Sequence, residues 1–169
     1  MNLNSADAGY LLWGKDLHLL LIGYGDQMDQ LQTRARALRV EDRVTFTGAD
    51  AEARFWMKAF DVFCFTSTDE GLPNVVMEAA AGGVPVLAWR TEFLRELLGE
   101  GQSAVLVEPG NFAALRVGLQ ALLENPERRR SLGEAGQKAV LANFGLPTFV
   151  RRLSDVYEEL LGAQRELSA

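Results

Sequence analysis

The feature that most constrains the fold is the regular alternation of short apolar runs with longer amphipathic ones. Five runs have the length and composition of β-strands: residues 17–22, 43–47, 61–65, 84–89 and 104–107. Between and after them, apolar residues recur every three or four positions, which is the spacing of one helix face. Apolar strands that alternate with helices indicate a parallel sheet covered on both sides. The sequence therefore predicts an α/β fold with a Rossmann-like, doubly wound parallel sheet flanked by helices.

Composition excludes several classes of protein. The 169 residues suit one domain, and their formal net charge of −6 argues against nucleic acid, whose binders carry a basic surface. A single nucleotide remains compatible, because one or two cations and some backbone amides suffice for it. With one cysteine and one histidine, the chain offers no metal-ligand set, and we expect neither a metal ion nor a cofactor. We expect a cytoplasmic protein, and peripheral attachment to the inner membrane surface in a full-length protein stays open.

The chain divides into three parts. Residues 1–16 show no strand pattern, and we expect a truncated lead-in there. Residues 17–146 carry the strands and most helices, and so form the predicted Rossmann-like domain. A turn-rich break at 143–147 then precedes a last helix, within 147–169, that we expect to leave the body at a new angle.

The richest loop follows the third strand and runs over residues 66–74. In open parallel sheets, ligands bind beyond the carboxyl ends of the strands. Pro73 is predicted to be the first helical residue, so that the amides from Asn74 on point free N–H groups into the loop. Such a helix end binds phosphate without a metal ion, and Gly71 allows the backbone to approach a ligand closely. The loop thus predicts an anion site.

Two glutamates flank this helix start. Glu78 lies five residues into the helix and shares a face with Asn74, four residues earlier. Its carboxylate could accept hydrogen bonds from two vicinal hydroxyls, such as those of ribose. Glu70, in the loop, would face whatever lies beyond the phosphates. One nucleotide-sugar could thus be held at both ends.

Structural interpretations compete with these functional ones. Both glutamates could be ordinary solvated side chains, and Gly23-Tyr24-Gly25 is a weak dinucleotide signal because Met28 takes the third glycine position. His18 is expected to be structural, and Ser67 lies in no nucleophile elbow. Four further side chains are expected to be buried in the core: Phe55, Trp56, Phe60 and Cys64.

Residues 70–79 (EGLPNVVMEA) resemble the E-x7-E motif of the family 4 retaining glycosyltransferases, which have the two-domain GT-B fold. Further segments with the family's pattern are 19–25, 43–48, 82–86, 101–110 and 125–136. The resemblance covers nearly the whole chain and identifies it as the C-terminal, donor-binding domain of such an enzyme.

The resemblance implies a role for each matching residue. Glu70 would contact the donor sugar and stabilise positive charge at its anomeric carbon, and Glu78 would bind the ribose hydroxyls. The donor, most simply a UDP-sugar, would be a substrate and would need no metal. The other donor-binding residues implied are Gly71, Leu72, Pro73, Asn74 and Ser67 along the sugar and phosphates, Gly23 and Gly25 at the pocket border, and Thr47 and Gly48 near the base.

The chain departs from the family pattern at its beginning. Members open this domain with a G-R-L…K-G segment whose two cations neutralise the leaving diphosphate, and Gly14-Lys15 lies too close to the first strand to match it. An acceptor-binding N-terminal domain is also expected in a full-length protein. We expect weak donor binding and no transfer by this chain alone. The last helix would pack on that other domain or, without it, promote self-association. A non-catalytic binding module and a nucleotide-sugar 2-epimerase-like domain remain the alternatives.

Overall fold

A computed structural model describes residues 17–49, 53–68, 71–99 and 101–166. Strands and helices alternate along these residues as the apolar pattern predicts. The strands are β1 (Leu19–Ile22), β2 (Val44–Gly48), β3 (Phe63–Phe65), β4 (Val86–Trp89) and β5 (Val105–Val107). The α-helices are α1 (Met28–Ala37), α2 (Ala53–Trp56), α3 (Asn74–Ala81), α4 (Glu92–Leu98), α5 (Phe112–Glu124), α6 (Pro126–Phe144) and α7 (Leu146–Glu166). Single 3₁₀ turns occupy Glu41–Arg43 and Met57–Ala59.

Every strand pairing in the described residues is parallel. β1 pairs with β2, and β4 lies between β3 and β5. The hydrogen-bonded ladders thus fall into two groups rather than the one continuous sheet that the sequence suggests. The α/β class with parallel strands flanked by helices is confirmed, and in each group the carboxyl ends of the strands lie at the same edge.

The core lies on both faces of β4, which is buried along its whole length. Val86 and Ala88 pack in one apolar cluster, with side chains of α3 and α4. Leu87 and Trp89 pack in a second cluster, with side chains of α5 and α6. Because successive side chains of a strand point to opposite faces, this split shows helices covering both sides, as in a doubly wound fold.

Helix α6 lies unusually close to the turn that joins α3 to β4. A Cβ added at Gly133 would stand 2.0 Å from the carbonyl oxygen of Gly83. Gly83 itself has φ +77°, a left-handed conformation that favours glycine and ends α3. The Gln137 side chain donates a hydrogen bond to the carbonyl of Ala81, at 2.8 Å. Gly83, Gly133 and the side-chain amide of Gln137 therefore hold α3 against α6.

Side-chain caps define where the helices of the C-terminal part begin. Thr91 accepts from the Leu94 N–H at the start of α4, and Asn111 accepts from the Ala114 N–H at the start of α5. Asn125 accepts from the Arg128 N–H at the start of α6, where Pro126 is the first helical residue. Arg129 then donates to the carbonyls of Leu122 and Leu123, which closes the corner between α5 and α6.

The prediction that three aromatic residues near α2 lie in the core is wrong for Phe55 and Trp56. Phe55 is 61% exposed and Trp56 is 43% exposed, whereas Phe60 packs against the core beside Phe63. The physical reason is that α2 is only one turn long and continues as a 3₁₀ turn, which changes the helical spacing and buries Met57 instead.

Helix α7 differs from the other long helices because its apolar side chains are exposed. They are Leu146, Phe149, Val150, Leu153, Val156, Tyr157, Leu160 and Leu161, each between 43% and 72% exposed. The buried apolar residues of the described part of the chain extend only from Ala35 to Val140. No helix among the described residues combines the length and the hydropathy that crossing a bilayer requires.

The contact between Gly133 and Gly83 leads to a stability prediction. Alanine normally stabilises a helix relative to glycine, but in Gly133→Ala the new methyl group would overlap the Gly83 carbonyl. We expect a loss of about 1–3 kcal/mol in unfolding free energy, measured by urea denaturation. Gly25→Ala is the control, because a Cβ there meets no atom within 4 Å in the described part of the chain. Equal stability of the two variants would contradict the close approach.

Candidate functional site

The candidate loop leaves the carboxyl end of β3 and leads into α3. Ser67 is half-buried two residues after the strand, Gly71 and Leu72 are exposed, and Pro73 is buried. Asp69 and the predicted catalytic residue Glu70 lie outside the described residues. The structure therefore places the loop's two ends and the helix that follows it.

The start of α3 corrects one sequence prediction. The helix begins at Asn74, and Pro73 is the residue before it, with φ −77° and ψ 83°. The N–H of Asn74 donates to the Leu72 carbonyl at 2.9 Å, and the N–H of Val76 donates to the Pro73 carbonyl at 3.0 Å. The N–H of Met77 also donates to the Pro73 carbonyl, at 3.3 Å. The prediction that the amides from Asn74 on are free is therefore wrong for these three, because the carbonyls of Leu72 and Pro73 accept them.

Glu78 lies on the exposed side of α3, as its spacing from Asn74 predicts. Both residues are exposed, while Val76, Ala79 and Ala80 are fully buried on the opposite side. Four residues of helix place Glu78 about 6 Å along the axis from Asn74. The carboxylate is thus carried by a rigid helix, one turn beyond its amino end, and remains accessible to a ligand.

The glycine turns after β1 and β2 are brought together. The N–H of Gly23 donates to the carbonyl of Gly48 at 2.8 Å. Both glycines have positive φ, +133° and +72°, which explains why glycine occupies these positions. The Thr47 hydroxyl donates to the same Gly48 carbonyl at 3.1 Å, and Gly25 is exposed two residues beyond Gly23. Three of the predicted donor-binding residues, Gly23, Thr47 and Gly48, are therefore linked by hydrogen bonds at the carboxyl ends of β1 and β2.

Two further residues at these strand ends were not predicted to be site residues. Tyr24 is 84% exposed between its two glycines. Arg90 follows β4 directly, donates its N–H to the Val107 carbonyl at 2.7 Å and forms an ion pair with Glu108 at 3.0 Å. The sequence could have indicated Arg90 as a site residue, since it is the first residue after an apolar strand and ligands bind beyond the carboxyl ends of such strands. Its charge is partly neutralised by Glu108.

The remaining reactive side chains have structural surroundings. His18 shares a hydrogen bond of 2.7 Å with the Thr45 hydroxyl across β1 and β2, which supports a structural histidine. Burial raises the pKa of the Cys64 thiol to about 12, so the nucleophilic thiolate does not form near neutral pH. In the described stretches of chain, histidine, cysteine and carboxylate side chains form no group of three suited to a metal ion.

Comparisons with known proteins identify the class to which this fold and loop belong. The family model described as "Glycosyl transferases group 1" matches residues 9–139. The chain is 28% identical over 148 residues to the lipopolysaccharide core biosynthesis glycosyltransferase LpsE of Rhizobium meliloti, covering 88% of the chain and 42% of the relative. It is 36% identical over 146 residues to the phosphatidyl-myo-inositol mannosyltransferase of Mycobacterium leprae, covering 85% and 38%.

A structural neighbour agrees with this assignment. Anabaena Alr3699/HepE in complex with UDP-glucose superposes with a TM-score of 0.81 at 22% identity, covering 94% of this chain and 45% of HepE. The chain therefore belongs to the group 1 glycosyl transferases, family 4, and has the fold of one half of a GT-B enzyme, the C-terminal half. It spans about two-fifths of the curated relatives it matches.

Proposed function

We propose that this chain is the donor-binding domain of a retaining glycosyltransferase, and that a nucleotide-diphospho-sugar lies across the amino end of α3. The observation that carries the proposal is the position of Glu78. In a member of this family, an accessible carboxylate stands one turn inside a helix that begins at the carboxyl edge of a parallel sheet. That edge is where open α/β sheets bind their ligands.

The diphosphate would lie over the first turn of α3. The aligned peptide dipoles place partial positive charge there, and the opposite face of the helix is anchored by fully buried side chains. At Gly71 a Cβ would meet no atom of the described residues within 4 Å, which supports an approach of the ligand to the backbone there. Leu72 and Asn74 are exposed beside it, with Pro73 and Ser67 supporting the loop. This arrangement needs no metal ion.

The nucleoside would extend from Glu78 towards the paired glycine turns. The Glu78 carboxylate would accept hydrogen bonds from the two ribose hydroxyls, which are stronger than bonds between neutral groups. Gly23 and Gly25 would border the pocket, with Thr47 and Gly48 near the base. Support for a uridine nucleotide comes from the neighbour HepE, which was solved with UDP-glucose.

Glu70 would act on the sugar at the other end of the donor. As the first glutamate of the E-x7-E motif, it would contact the hexose and stabilise the positive charge that develops at the anomeric carbon. We assign it this electrostatic role rather than a nucleophilic one, because a fixed negative group near developing positive charge lowers the barrier without forming a bond.

Replacing Glu78 tests the ribose contact. In Glu78→Ala we expect the affinities for UDP and for a UDP-sugar to fall together, by roughly 10–100-fold, because a charged hydrogen-bond acceptor is lost. Isothermal titration calorimetry measures both. The control is Glu127→Ala, an exposed carboxylate in the first turn of α6. If both variants weaken binding equally, or the parent chain binds nothing at millimolar nucleotide, the proposed site is wrong and a structural module is favoured.

Replacing Glu70 tests the other end of the donor. In Glu70→Gln we expect UDP to bind as it does to the parent chain, whereas the UDP-sugar loses several-fold in affinity, because only the sugar would contact this carboxylate. Titration of UDP, UDP-glucose and UDP-galactose separates the two effects. A variant that loses UDP affinity as strongly as Glu78→Ala would place Glu70 at the nucleotide and refute the assignment.

Catalysis would require the other half of the fold. The chain matches about two-fifths of its relatives, and we propose that the acceptor, together with cations that neutralise the leaving diphosphate, is held by residues outside it. In a full-length enzyme, the exposed face of α7 would pack on that half. The proposed division is then 17–146 for donor binding and 147–169 for docking.

This division predicts that the 169-residue chain binds donor without transferring sugar. An assay for UDP release from UDP-glucose, with and without glycan and lipid acceptors, should stay at the background hydrolysis rate. The control for an intact site is nucleotide binding by the parent chain, which should be lost in Glu78→Ala. Steady turnover by the purified chain would contradict the need for a second half.

A further inference from the structure

Arg90 and Glu108 form an ion pair at the carboxyl edge of the sheet, next to the strand whose loop leads into α3. The Nη1 of Arg90 lies 3.0 Å from the Oε1 of Glu108. Arg90 directly follows β4 and Glu108 directly follows β5, and the N–H of Arg90 still donates to the Val107 carbonyl. The pair therefore continues the parallel ladder by one position, so that the sheet itself fixes where the two residues lie.

The side chains of this pair leave the sheet on the face that α3 covers. Val86 and Ala88 of β4 and Leu106 of β5 pack in the apolar cluster that includes side chains of α3. Because successive side chains of a strand alternate between faces, Arg90 and Glu108 belong to the same face. Helix α3 begins at this edge. The ion pair and the proposed diphosphate site thus share one face and one edge of the sheet.

Ser67 extends the pair to a polar row across three strands. β3 pairs with β4 from Phe63 to Phe65, and the same register continued by two residues sets Ser67 beside Arg90. Phe65 packs on the α3 face, so alternation assigns Ser67 to that face as well. Since neighbouring strands are about 5 Å apart, the row from Ser67 to Glu108 is about 10 Å long. That length is sufficient to span one sugar ring.

We propose that Arg90 and Glu108 recognise hydroxyl groups of the donor sugar and make the site selective for an uncharged sugar. This subsite rests on the proposed function, since it presumes a donor whose diphosphate lies over α3. The Arg90 guanidinium offers N–H donors in one plane, and the Glu108 carboxylate offers acceptors. The Nε of Arg90 is buried, while the Arg90 and Glu108 side chains are 35% and 64% exposed. The pair is therefore anchored at its inner end and accessible at its outer end.

The mutual neutralisation of the two charges favours hydroxyl groups over a sugar carboxylate. Hydroxyl groups of a hexose can donate to Glu108 and accept from Arg90 while the ion pair stays intact. A uronic acid would have to displace Glu108 from Arg90 or place its own carboxylate beside that of Glu108. Like charges brought together in this way weaken binding. The ion pair thus supplies both attraction for a neutral sugar and discrimination against an anionic one.

Removing the cation tests the sugar contact. In Arg90→Gln we expect the affinities for UDP-glucose and UDP-galactose to fall about tenfold while that for UDP stays unchanged, because only the sugar would lose hydrogen bonds to a charged group. Isothermal titration calorimetry of the 169-residue chain measures all three affinities, and circular dichroism checks that the variant is folded. The matched control is Arg128→Gln, which removes the same charge from an exposed arginine in the first turn of α6.

Removing the anion should produce a gain of affinity. In Glu108→Gln the Arg90 guanidinium loses its counter-charge, and we expect the affinity for UDP-glucuronic acid to rise about tenfold relative to that for UDP-glucose. Asp61→Asn is the control, since it removes a carboxylate from the ion pair with Arg129, 3.8 Å, at the amino end of β3. It should leave the ratio unchanged. Partial unfolding does not raise an affinity, so this variant decides the question even where Arg90→Gln is unstable.

Two results would overturn the subsite. The first is a folded Arg90→Gln chain whose affinities for UDP and the UDP-sugars change equally or not at all, which would reduce the ion pair to a structural link between β4 and β5. The second is a Glu108→Gln chain that keeps the parent's preference between UDP-glucose and UDP-glucuronic acid. Neither result affects UDP binding that depends on Glu78. A parent chain that binds no UDP refutes both proposals, so the two failures are distinguishable.

Discussion

The close approach of α6 to the turn between α3 and β4 is the constraint on which the rest of the structure depends. Backbone meets backbone there, because glycine at 133 leaves no side chain between the helix and the Gly83 carbonyl. The contact clamps the carboxyl end of α3, while Val76, Ala79 and Ala80 bury its inner face. A helix held in this way has a fixed axis. Packing therefore fixes the direction of its amino end and the position of Glu78 along it.

The acidic character of the chain is consistent with the way this site would work. Glutamates hold hydroxyl groups well, since a carboxylate accepts two hydrogen bonds at once, and a helix end offers phosphate a diffuse positive charge. Neither contact neutralises a leaving diphosphate. At this edge of the described sheet, Arg90 is paired with Glu108. The proposed function accordingly assigns donor orientation to this half and takes the cations that neutralise the diphosphate from elsewhere in a full-length enzyme.

Helix α7 stands apart because the core is complete without it. The two apolar clusters on the faces of β4 close with side chains that end at Val140 in α6. The free energy of folding therefore does not require the apolar stripe of α7 to be covered by its own domain. In the proposed full-length enzyme, the other half of the fold would cover this stripe.

Local patterns in the sequence determined the order, type and approximate bounds of the strands and helices, because apolar periodicity and turn residues act over a few positions. They also placed Glu78 on the free side of α3, through its spacing from Asn74. Only the tertiary structure decided what depends on distant partners. It brought Gly133 into contact with Gly83 and formed the hydrogen bond between Gly23 and Gly48. It also left Phe55 and Trp56 exposed, and it began α3 one residue after Pro73. Those outcomes depend on which surfaces meet across long separations in the chain, and a periodic pattern shows which side is apolar but not what covers it.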